Sequence, residues 1–142
     1  MIEVRHARPD ELERCLDIRR EVFVGEQGVA PGIEIDGRDA RCIHVIALAG
    51  GDAVGTARLR FTEDGRAKAE RVAVRRAFRG TGTGALLMRA LEDEARARGH
   101  HRLVLNAQVQ VLPFYEKLGY AIDGAEFLEA GIAHRAMSKR LT

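Results

Sequence analysis

The sequence of 142 residues lacks the features that mark several large classes of protein. Its two cysteines, Cys15 and Cys42, show no C-x-x-C spacing, so we expect buried free thiols and no bound metal. No apolar run is long enough to cross a bilayer, and no signal peptide is recognisable. The net charge of +2 is too small to indicate nucleic-acid binding. We therefore expect a cytoplasmic protein that binds neither nucleic acid nor a membrane.

Two common catalytic patterns are also missing. The single serine, Ser138, has no nucleophile elbow around it, which argues against a serine hydrolase. The G-x-x-x-x-G-K-[ST] pattern of P-loop nucleotide-binding proteins does not occur. No repeat, linker or low-complexity segment interrupts the chain, and its length suits one hydrophobic core. We expect a single domain over residues 1–142.

Hydropathy and turn residues predict a mixed α/β chain in the order β–α–βββ–α–β–α–ββ. Tight turns at Gly50-Gly51-Asp52 and Asp64-Gly65 make the three central strands an antiparallel meander. A strand–helix–strand unit follows, so the sheet is mixed and flanked by helices. The predicted strands are Ile2–Arg5, Cys42–Ala49, Ala53–Phe61, Lys68–Val74 and Leu103–Asn106, followed by the closing strand segments Tyr120–Asp123, Glu126–Leu128 and His134–Leu141. The predicted helices are Asp10–Phe23, Gly82–Arg98 and Val109–Leu118.

A glycine-rich segment, Arg79-Gly80-Thr81-Gly82-Thr83-Gly84, lies between a predicted strand and a predicted helix. The first backbone N–H groups of a helix have no partner within the helix, and the helix dipole favours negative charge there. Glycines let the backbone approach a ligand closely, and Arg79 adds a fixed positive charge. The segment therefore predicts a phosphate-binding loop.

The letters of the dinucleotide-binding pattern G-x-G-x-x-[GA] are matched by Gly80, Gly82 and Ala85. That pattern also requires a parallel βαβ unit and an acidic residue at the end of the next strand. Here the preceding strand belongs to the meander, and the next predicted strand ends in Asn106. A nucleotide-binding oxidoreductase is therefore the weaker interpretation.

The surroundings of the loop favour a different ligand. Val72 and Val74 form a V-x-V pattern before the R-G-x-G-x-G segment, and Asn106 and then F-Y-E-K-L-G-Y over Phe114–Tyr120 follow it. In this order and spacing the chain resembles the GNAT superfamily of N-acetyltransferases over nearly its whole length. Three further segments are similar to the small ElaA/YjcF-like bacterial branch, namely Val22–Gly28, Leu105–Gln108 and Glu126–His134.

The resemblance implies a GNAT-like sheet and acetyl-CoA as the acyl donor. Val72 and Val74 would offer backbone hydrogen bonds to the pantetheine arm, as if it were an added strand. Asn106 and Phe114 would contact the lower pantetheine and the tail of CoA. The backbone N–H groups that would surround the pyrophosphate belong to Arg79, Gly80, Thr81, Gly82, Thr83 and Gly84.

The resemblance also implies direct attack of an amine on the thioester in a ternary complex. Tyr115 stands where many members place a general acid for the departing thiolate. The base that accepts the amine proton has no fixed position, and we place Glu26 and His134 ahead of Glu70 and His44. A catalytically silent acyl-CoA-binding sensor is the alternative.

The acceptor amine is not specified by these patterns. The predicted loop Gly25–Arg41 is rich in acidic residues, which would suit a cationic amine or a solvated loop equally well. The sequence is compatible with a homodimer. The acidic residues of this loop are Glu26, Glu34, Asp36 and Asp39.

Overall fold

The computed structural model describes residues 1–142 and contains eight strands in one sheet. The strands are β1 (Ile2–His6), β2 (Ile43–Ala49), β3 (Asp52–Phe61), β4 (Ala67–Val74), β5 (Arg102–Gln108), β6 (Ala121–Ile122), β7 (Phe127–Glu129) and β8 (Ile132–Arg140). Their order in the sheet is β1-β2-β3-β4-β5-β8-β6, and β7 pairs with β8. The α-helices are α1 (Leu12–Arg19), α2 (Pro31–Glu34), α3 (Thr83–Ala97) and α4 (Leu112–Lys117).

The predicted meander is confirmed, because β2, β3 and β4 pair antiparallel in sequence order. The turn between β2 and β3 contains Gly50 and Gly51, whose φ angles of 57° and 90° favour glycine. The strand–helix–strand unit is also confirmed, since α3 connects β4 to a parallel β5. The sheet is therefore mixed and mostly antiparallel.

The parallel pairing of β4 with β5 is short. It covers only Ala67–Ala69 against Leu103–Leu105. Beyond these residues β4 stays paired with β3 as far as Val74, whereas β5 stays paired with β8 as far as Gln108. The two strands therefore separate and leave a wedge between two strand edges in the middle of the sheet.

A β-bulge at Arg71 contributes to this separation. Arg71 has a φ of 55°, and the register between β3 and β4 shifts in this region. Ala69 packs into the core beneath α3, whereas Ala73 packs into the cluster beneath α1. In a regular strand side chains two or four residues apart point to the same face, so Ala69 and Ala73 would share one. The bulge between them therefore reverses which residues of β4 point to which face. Val72 consequently packs on the α3 side.

The two faces of the sheet are covered by different helices. The main core lies under α3, which contributes Leu87, Met88, Leu91 and Ala95. The smaller cluster lies under α1 and includes Cys15, Ile18, Val22, Ile46 and Leu48. Both cysteines are free thiols, and Cys15 is buried as predicted, whereas Cys42 is only partly buried. None of the helices combines the length and hydropathy needed to span a membrane.

Two predicted helices differ in detail from the structure. The prediction Asp10–Phe23 is divided into a 3-10 turn, α1, and a π-helical stretch over Arg20–Glu26. The prediction Val109–Leu118 is divided into a 3-10 turn over Val109–Val111 and then α4. Proline lacks an N–H and is tolerated only in the first turn of a helix, so α4 begins just before Pro113.

Candidate active site

A cavity of about 430 Å³ lies in the wedge between β4 and β5. Its wall is formed by 24 residues, half of them hydrophobic. Side chains of β4, β5, α4, β7 and β8 contribute to it, together with the segment from Phe23 to Arg38. The structure brings five sequence-predicted site residues together in this wall: Val72, Asn106, Phe114, Tyr115 and His134. The candidate base Glu70 also lines it, whereas Val74, the glycine-rich loop, Glu26 and His44 lie outside it.

The segment that follows α1 reaches β5 across the open end of the wedge. Gln108 Nε2 donates a 2.8 Å hydrogen bond to Gln27 Oε1, and Gln110 donates to Gln108 Oε1 at 3.1 Å. Both Gln27 and Gln108 line the cavity. Residues that are 81 positions apart in the chain are thereby joined over the cavity. Sequence analysis did not assign a role to either glutamine.

The glycine-rich loop continues directly from the end of β4. Gly80 and Gly82 have φ angles of 77° and 87°, a conformation that other residues rarely adopt. Gly82 is the N-cap of α3, and no side chain caps this helix start. The early N–H groups of α3 are therefore available for an anion. The loop residues and Val74 do not line the cavity itself, because they lie beyond its end along β4.

Gly84, near the start of α3, lies against the aromatic ring of Phe114. A Cβ atom added to Gly84 would lie 3.0 Å from Phe114 Cζ, which is closer than side-chain contacts normally come. The Phe114 ring also contacts Tyr115 edge-on, with ring centroids 4.9 Å apart. Glycine at position 84 thus allows α4 to approach the beginning of α3 on the side of the wedge that Val72 faces.

Arg79 contacts two groups in the structure. Its Nη2 lies 2.7 Å from Glu26 Oε1, and its Nε donates to the carbonyl of Val74 at 2.9 Å. Glu26 also lies 3.9 Å from Arg76, and it does not line the cavity. The π-helical stretch ends at Glu26, so this ion pair joins the first helical segment to the glycine-rich loop.

Tyr115 is buried at the inner end of the cavity. Its side chain packs against the rings of Phe114 and Tyr120, with centroids 4.9 Å and 5.9 Å away. Burial raises the pKa of Tyr115 to about 12. The phenol therefore stays protonated at neutral pH and is able to donate a hydrogen bond.

His134 lies in β8 beside the end of β5. Its Nδ1 is 2.7 Å from the carbonyl oxygen of Ile132, which can only accept a hydrogen bond, so Nδ1 carries the proton. In the neutral ring Nε2 is then a free base, and it lies 3.7 Å from Glu129 Oε2. Glu129 in turn accepts a hydrogen bond from Asn106 at 3.3 Å. The ring stacks on Phe127, which fixes its plane.

The two other candidate bases are less available. Glu70 lines the cavity but pairs with Arg58, Arg60 and Lys68 at 2.8, 2.9 and 3.4 Å. Burial alone would raise the pKa of Glu70, but hydrogen bonds from Arg60 and Arg58 outweigh it and lower the pKa to about 2. His44 lies outside the cavity wall, donates to the Asp39 carbonyl at 2.9 Å, and has a pKa lowered by burial.

The acidic residues of the predicted loop are matched by arginines. Glu34 is buried against Arg19 and Arg71, with contacts of 2.9 and 2.7 Å. Asp36 pairs with Arg58 at 2.6 Å, and Asp39 bridges Arg58 and Arg19 at 2.9 and 2.7 Å. Arg19 and Arg58 are each only 1% exposed. The segment is therefore held on the sheet by a charge network and is not a solvated loop.

Comparison with known proteins identifies the family. Residues 31–141 match the model of the acetyltransferase (GNAT) domain. The chain belongs to the GNAT acetyltransferase family. It is 40% identical over 131 residues to the uncharacterized N-acetyltransferase YjcF of Bacillus subtilis, which covers 92% of this chain and 93% of that protein.

Solved GNAT structures agree with this placement. An acyl-CoA N-acyltransferase from Pseudomonas aeruginosa superposes with a TM-score of 0.82 at 31% identity and covers 98% of both chains. Escherichia coli ElaA superposes with a TM-score of 0.85 at 28% identity, covering 99% of this chain and all of that one. The resemblance to the ElaA/YjcF-like branch and the predicted fold class are confirmed.

The family gives the reaction. This GNAT protein is an N-acetyltransferase that moves an acetyl group from acetyl-CoA to an amine. The predicted enzyme class and the acyltransferase reaction are therefore confirmed.

Proposed function

We propose that acetyl-CoA lies in the wedge between β4 and β5 and that an amine attacks its thioester directly in a ternary complex. The exposed edge of β4 near Val72 and Val74 offers backbone groups to the pantetheine arm. The backbone of the loop from Arg79 to Gly84 surrounds the pyrophosphate at the start of α3, where no side chain competes for the N–H groups. Phe114 and Asn106 border the wedge from the other side.

His134 is the general base of this proposal. The observation that carries it is the hydrogen bond from Nδ1 to Ile132, which leaves Nε2 unprotonated on a ring that lines the cavity. As the amine nitrogen bonds to the thioester carbon, Nε2 accepts one proton from that nitrogen. Glu129, near Nε2, stabilises the resulting imidazolium.

Tyr115 assists the departure of sulfur. Its pKa of about 12 lies above the value of about 8.5 for an ordinary thiol, so full proton transfer to the thiolate would be uphill by about 5 kcal/mol. The phenol therefore stabilises the sulfur by a hydrogen bond as the C–S bond breaks. The thiolate then takes its proton from the imidazolium, which restores His134 to its neutral form.

Glu26 has a different place in the proposal. Because its carboxylate faces Arg79 and not the cavity, we assign it to the acetyl-CoA loop and not to proton transfer. We also propose that residues 1–142 act as one N-acetyltransferase domain. Its support is that β1, which precedes the matched residues 31–141, pairs with β2 inside them. The two free thiols support a reducing cytoplasm.

The experiment is acetyl-CoA turnover with a panel of amines, comparing the wild type with His134→Gln. We expect kcat/KM for the amine to fall by about a hundredfold or more, with an unchanged Kd for acetyl-CoA. His101→Gln, at an exposed position outside the cavity, is the matched control. Unchanged turnover in His134→Gln would place the base elsewhere, and lost acetyl-CoA affinity would make His134 structural.

A further inference from the structure

The cavity wall on the face opposite α3 carries several positive side chains. Ala67 and Ala69 of β4 point into the core under α3, so Lys68 and Glu70 point to the other face. Arg60, whose register partner on β4 is Lys68, points to the same face. Arg38, from the segment between α2 and β2, completes this part of the wall. We name Arg38, Arg60 and Lys68 the cationic wall.

The negative charges near this wall are already used. Glu70 is shared by Arg58, Arg60 and Lys68, and its contact with Lys68 is the longest of the three at 3.4 Å. The Arg38 guanidinium makes no ion pair, although its backbone N–H donates to Asp36. The charged groups of the cavity wall and of the network behind it are the carboxylates Glu34, Asp36, Asp39, Glu70 and Glu129 and the cations Arg19, Arg38, Arg58, Arg60, Lys68 and Arg71.

This balance favours an anion in the cavity. The six cations outnumber the five carboxylates, and Glu129 contacts His134 and Asn106 and not the cationic wall. The other four carboxylates cannot release their arginine partners without leaving buried charges unpaired. A cationic acceptor would meet excess positive charge, whereas a carboxylate or phosphate would meet Arg38 and Lys68 with donors to spare. The acid-rich segment that the sequence offered as a site for a cationic amine is thus neutralised from within the protein.

We propose that the acceptor is an amine that also carries a carboxylate or phosphate group, and that the cationic wall binds this group. The proposal rests on the proposed function, and it places the thioester at the Val72 end of the β4 edge along which the pantetheine arm lies. Lys68 and Val72 are four residues apart on β4, about 13 Å along an extended strand. The anionic group is therefore remote from the reacting amine, and the acceptor is an elongated small molecule. Val29 and Ile33 line the same cavity and would contact the apolar middle of this molecule.

Matched acceptors test the proposal. Turnover is measured with 10-aminodecanoate against 10-aminodecanamide, and with 8-aminooctyl phosphate against 8-aminooctanol, so that the extended chains match the separation between Lys68 and Val72 and only the distal charge differs within each pair. We expect kcat/KM to be at least tenfold higher for the anionic member. Equal values within both pairs would overturn the acceptor proposal and leave the proposed function intact. The two pairs distinguish carboxylate from phosphate recognition.

Variants of the wall locate the effect. We expect Lys68→Gln and Arg38→Gln each to reduce the preference for the anionic acceptor by about tenfold, mainly through KM, and Arg38→Lys to restore part of it. Lys117→Gln, at an exposed position outside the cavity, should leave the preference unchanged. A preference that survives in both wall variants would overturn the assignment to these residues.

A binding measurement covers the case in which no tested amine is acetylated. Inorganic phosphate is titrated calorimetrically into protein saturated with CoA, so that the glycine-rich loop is already filled. We expect weak phosphate binding that Lys68→Gln and Arg38→Gln abolish. Absence of binding, or equal binding in the variants, would overturn the acceptor proposal, whereas failure of the protein to bind CoA at all would overturn the proposed function.

Discussion

Glu26 Oε1 lies 2.7 Å from Nη2 of Arg79, so a carboxylate of the π-helical stretch pairs with the arginine of the glycine-rich loop. The same guanidinium adds positive charge to the loop whose backbone, in the proposed function, surrounds the pyrophosphate. The carboxylate and the pyrophosphate would then compete for one group of donors. This relationship turns a residue first considered as a catalytic base into one that affects donor binding.

Replacement of Glu26 by glutamine should therefore tighten acetyl-CoA binding. Both side chains are partly exposed, so we expect a gain of about two- to fivefold at low salt and less at high salt. Calorimetry gives the Kd. Glu21→Gln is the control, because Glu21 lies in the same π-helical stretch as Glu26 but pairs with Arg75, at 3.5 Å, and not with Arg79. Weaker binding would mean that Glu26 positions Arg79, and a hundredfold loss of kcat at saturating acetyl-CoA would restore Glu26 as the base.

The contact of Gly84 with Phe114 predicts a pair of compensating substitutions. Gly84→Ala would force a Cβ to 3.0 Å from Phe114 Cζ, so we expect a loss of about 1–3 kcal/mol in the free energy of unfolding and weaker acetyl-CoA binding. Phe114→Leu in the same chain should restore stability, because alanine also favours the helix. Gly25→Ala is the control, since its Cβ would meet its nearest neighbour at 3.6 Å. If urea denaturation gave the same free energy of unfolding for Gly84→Ala and for the double variant with Phe114→Leu, the contact would not be the cause of the destabilisation.

Tyr115→Phe should slow chemistry and leave donor binding intact. We expect kcat to fall by about 10–100-fold, with the Kd of acetyl-CoA within about twofold of wild type. Because the pKa of Tyr115 is about 12, the wild type should show no loss of activity from this group as the pH rises to 10. Tyr120→Phe is the control, since Tyr120 donates to Glu92 at 2.7 Å away from the cavity. A large loss of acetyl-CoA affinity in Tyr115→Phe would make the residue structural.

The charge network should make stability depend on acid pH. Hydrogen bonds and charges from arginines outweigh burial and hold the pKa values of Asp36, Asp39 and Glu70 below their usual range, to about 2 for Glu70. A carboxylate with a lowered pKa in the folded state stabilises the fold above its unfolded pKa and loses that effect as the pH falls. We expect the free energy of unfolding to be level above about pH 5 and to decrease from there toward pH 2.

Glu70→Gln tests this origin. The variant should lose about 2 kcal/mol at pH 7, because Arg58 and Arg60 lose charged hydrogen bonds, and it should show a shallower decrease below pH 5. Urea denaturation at pH 7, 4 and 3 measures both effects. Glu116→Gln, at an exposed position in α4, should match the wild type. An unchanged pH slope in Glu70→Gln would show that other carboxylates cause the acid sensitivity.

The fold was predictable wherever the signal was local. The meander follows from alternating hydropathy and from glycine turns such as Gly50-Gly51, and α3 follows from its apolar stripe and the glycine loop before it. The break between the 3-10 turn and α4 follows from Pro113, because a proline is tolerated only in the first turn of a helix.

The site was only partly predictable because its contacts are long-range. Arg71 meets Glu34 across 37 positions, and its orientation depends on a bulge that reverses the faces of β4. No periodicity within either segment indicates that pairing. The sequence therefore shows acidic residues in the loop but not the arginines that neutralise them, and so it does not show the sign of the charge left in the cavity.

The short pairing of β4 with β5 has a consequence for the energetics of the whole protein. Past Ala69 and Leu105 the sheet has two facing edges whose amides and carbonyls do not bond to each other. A ligand that bridges these edges would act as a removable part of the sheet, and its binding free energy would add to the free energy of unfolding. The fraction of folded protein in a cell would then rise with the supply of acyl-CoA, and the hydrogen-exchange rates of these amides would fall.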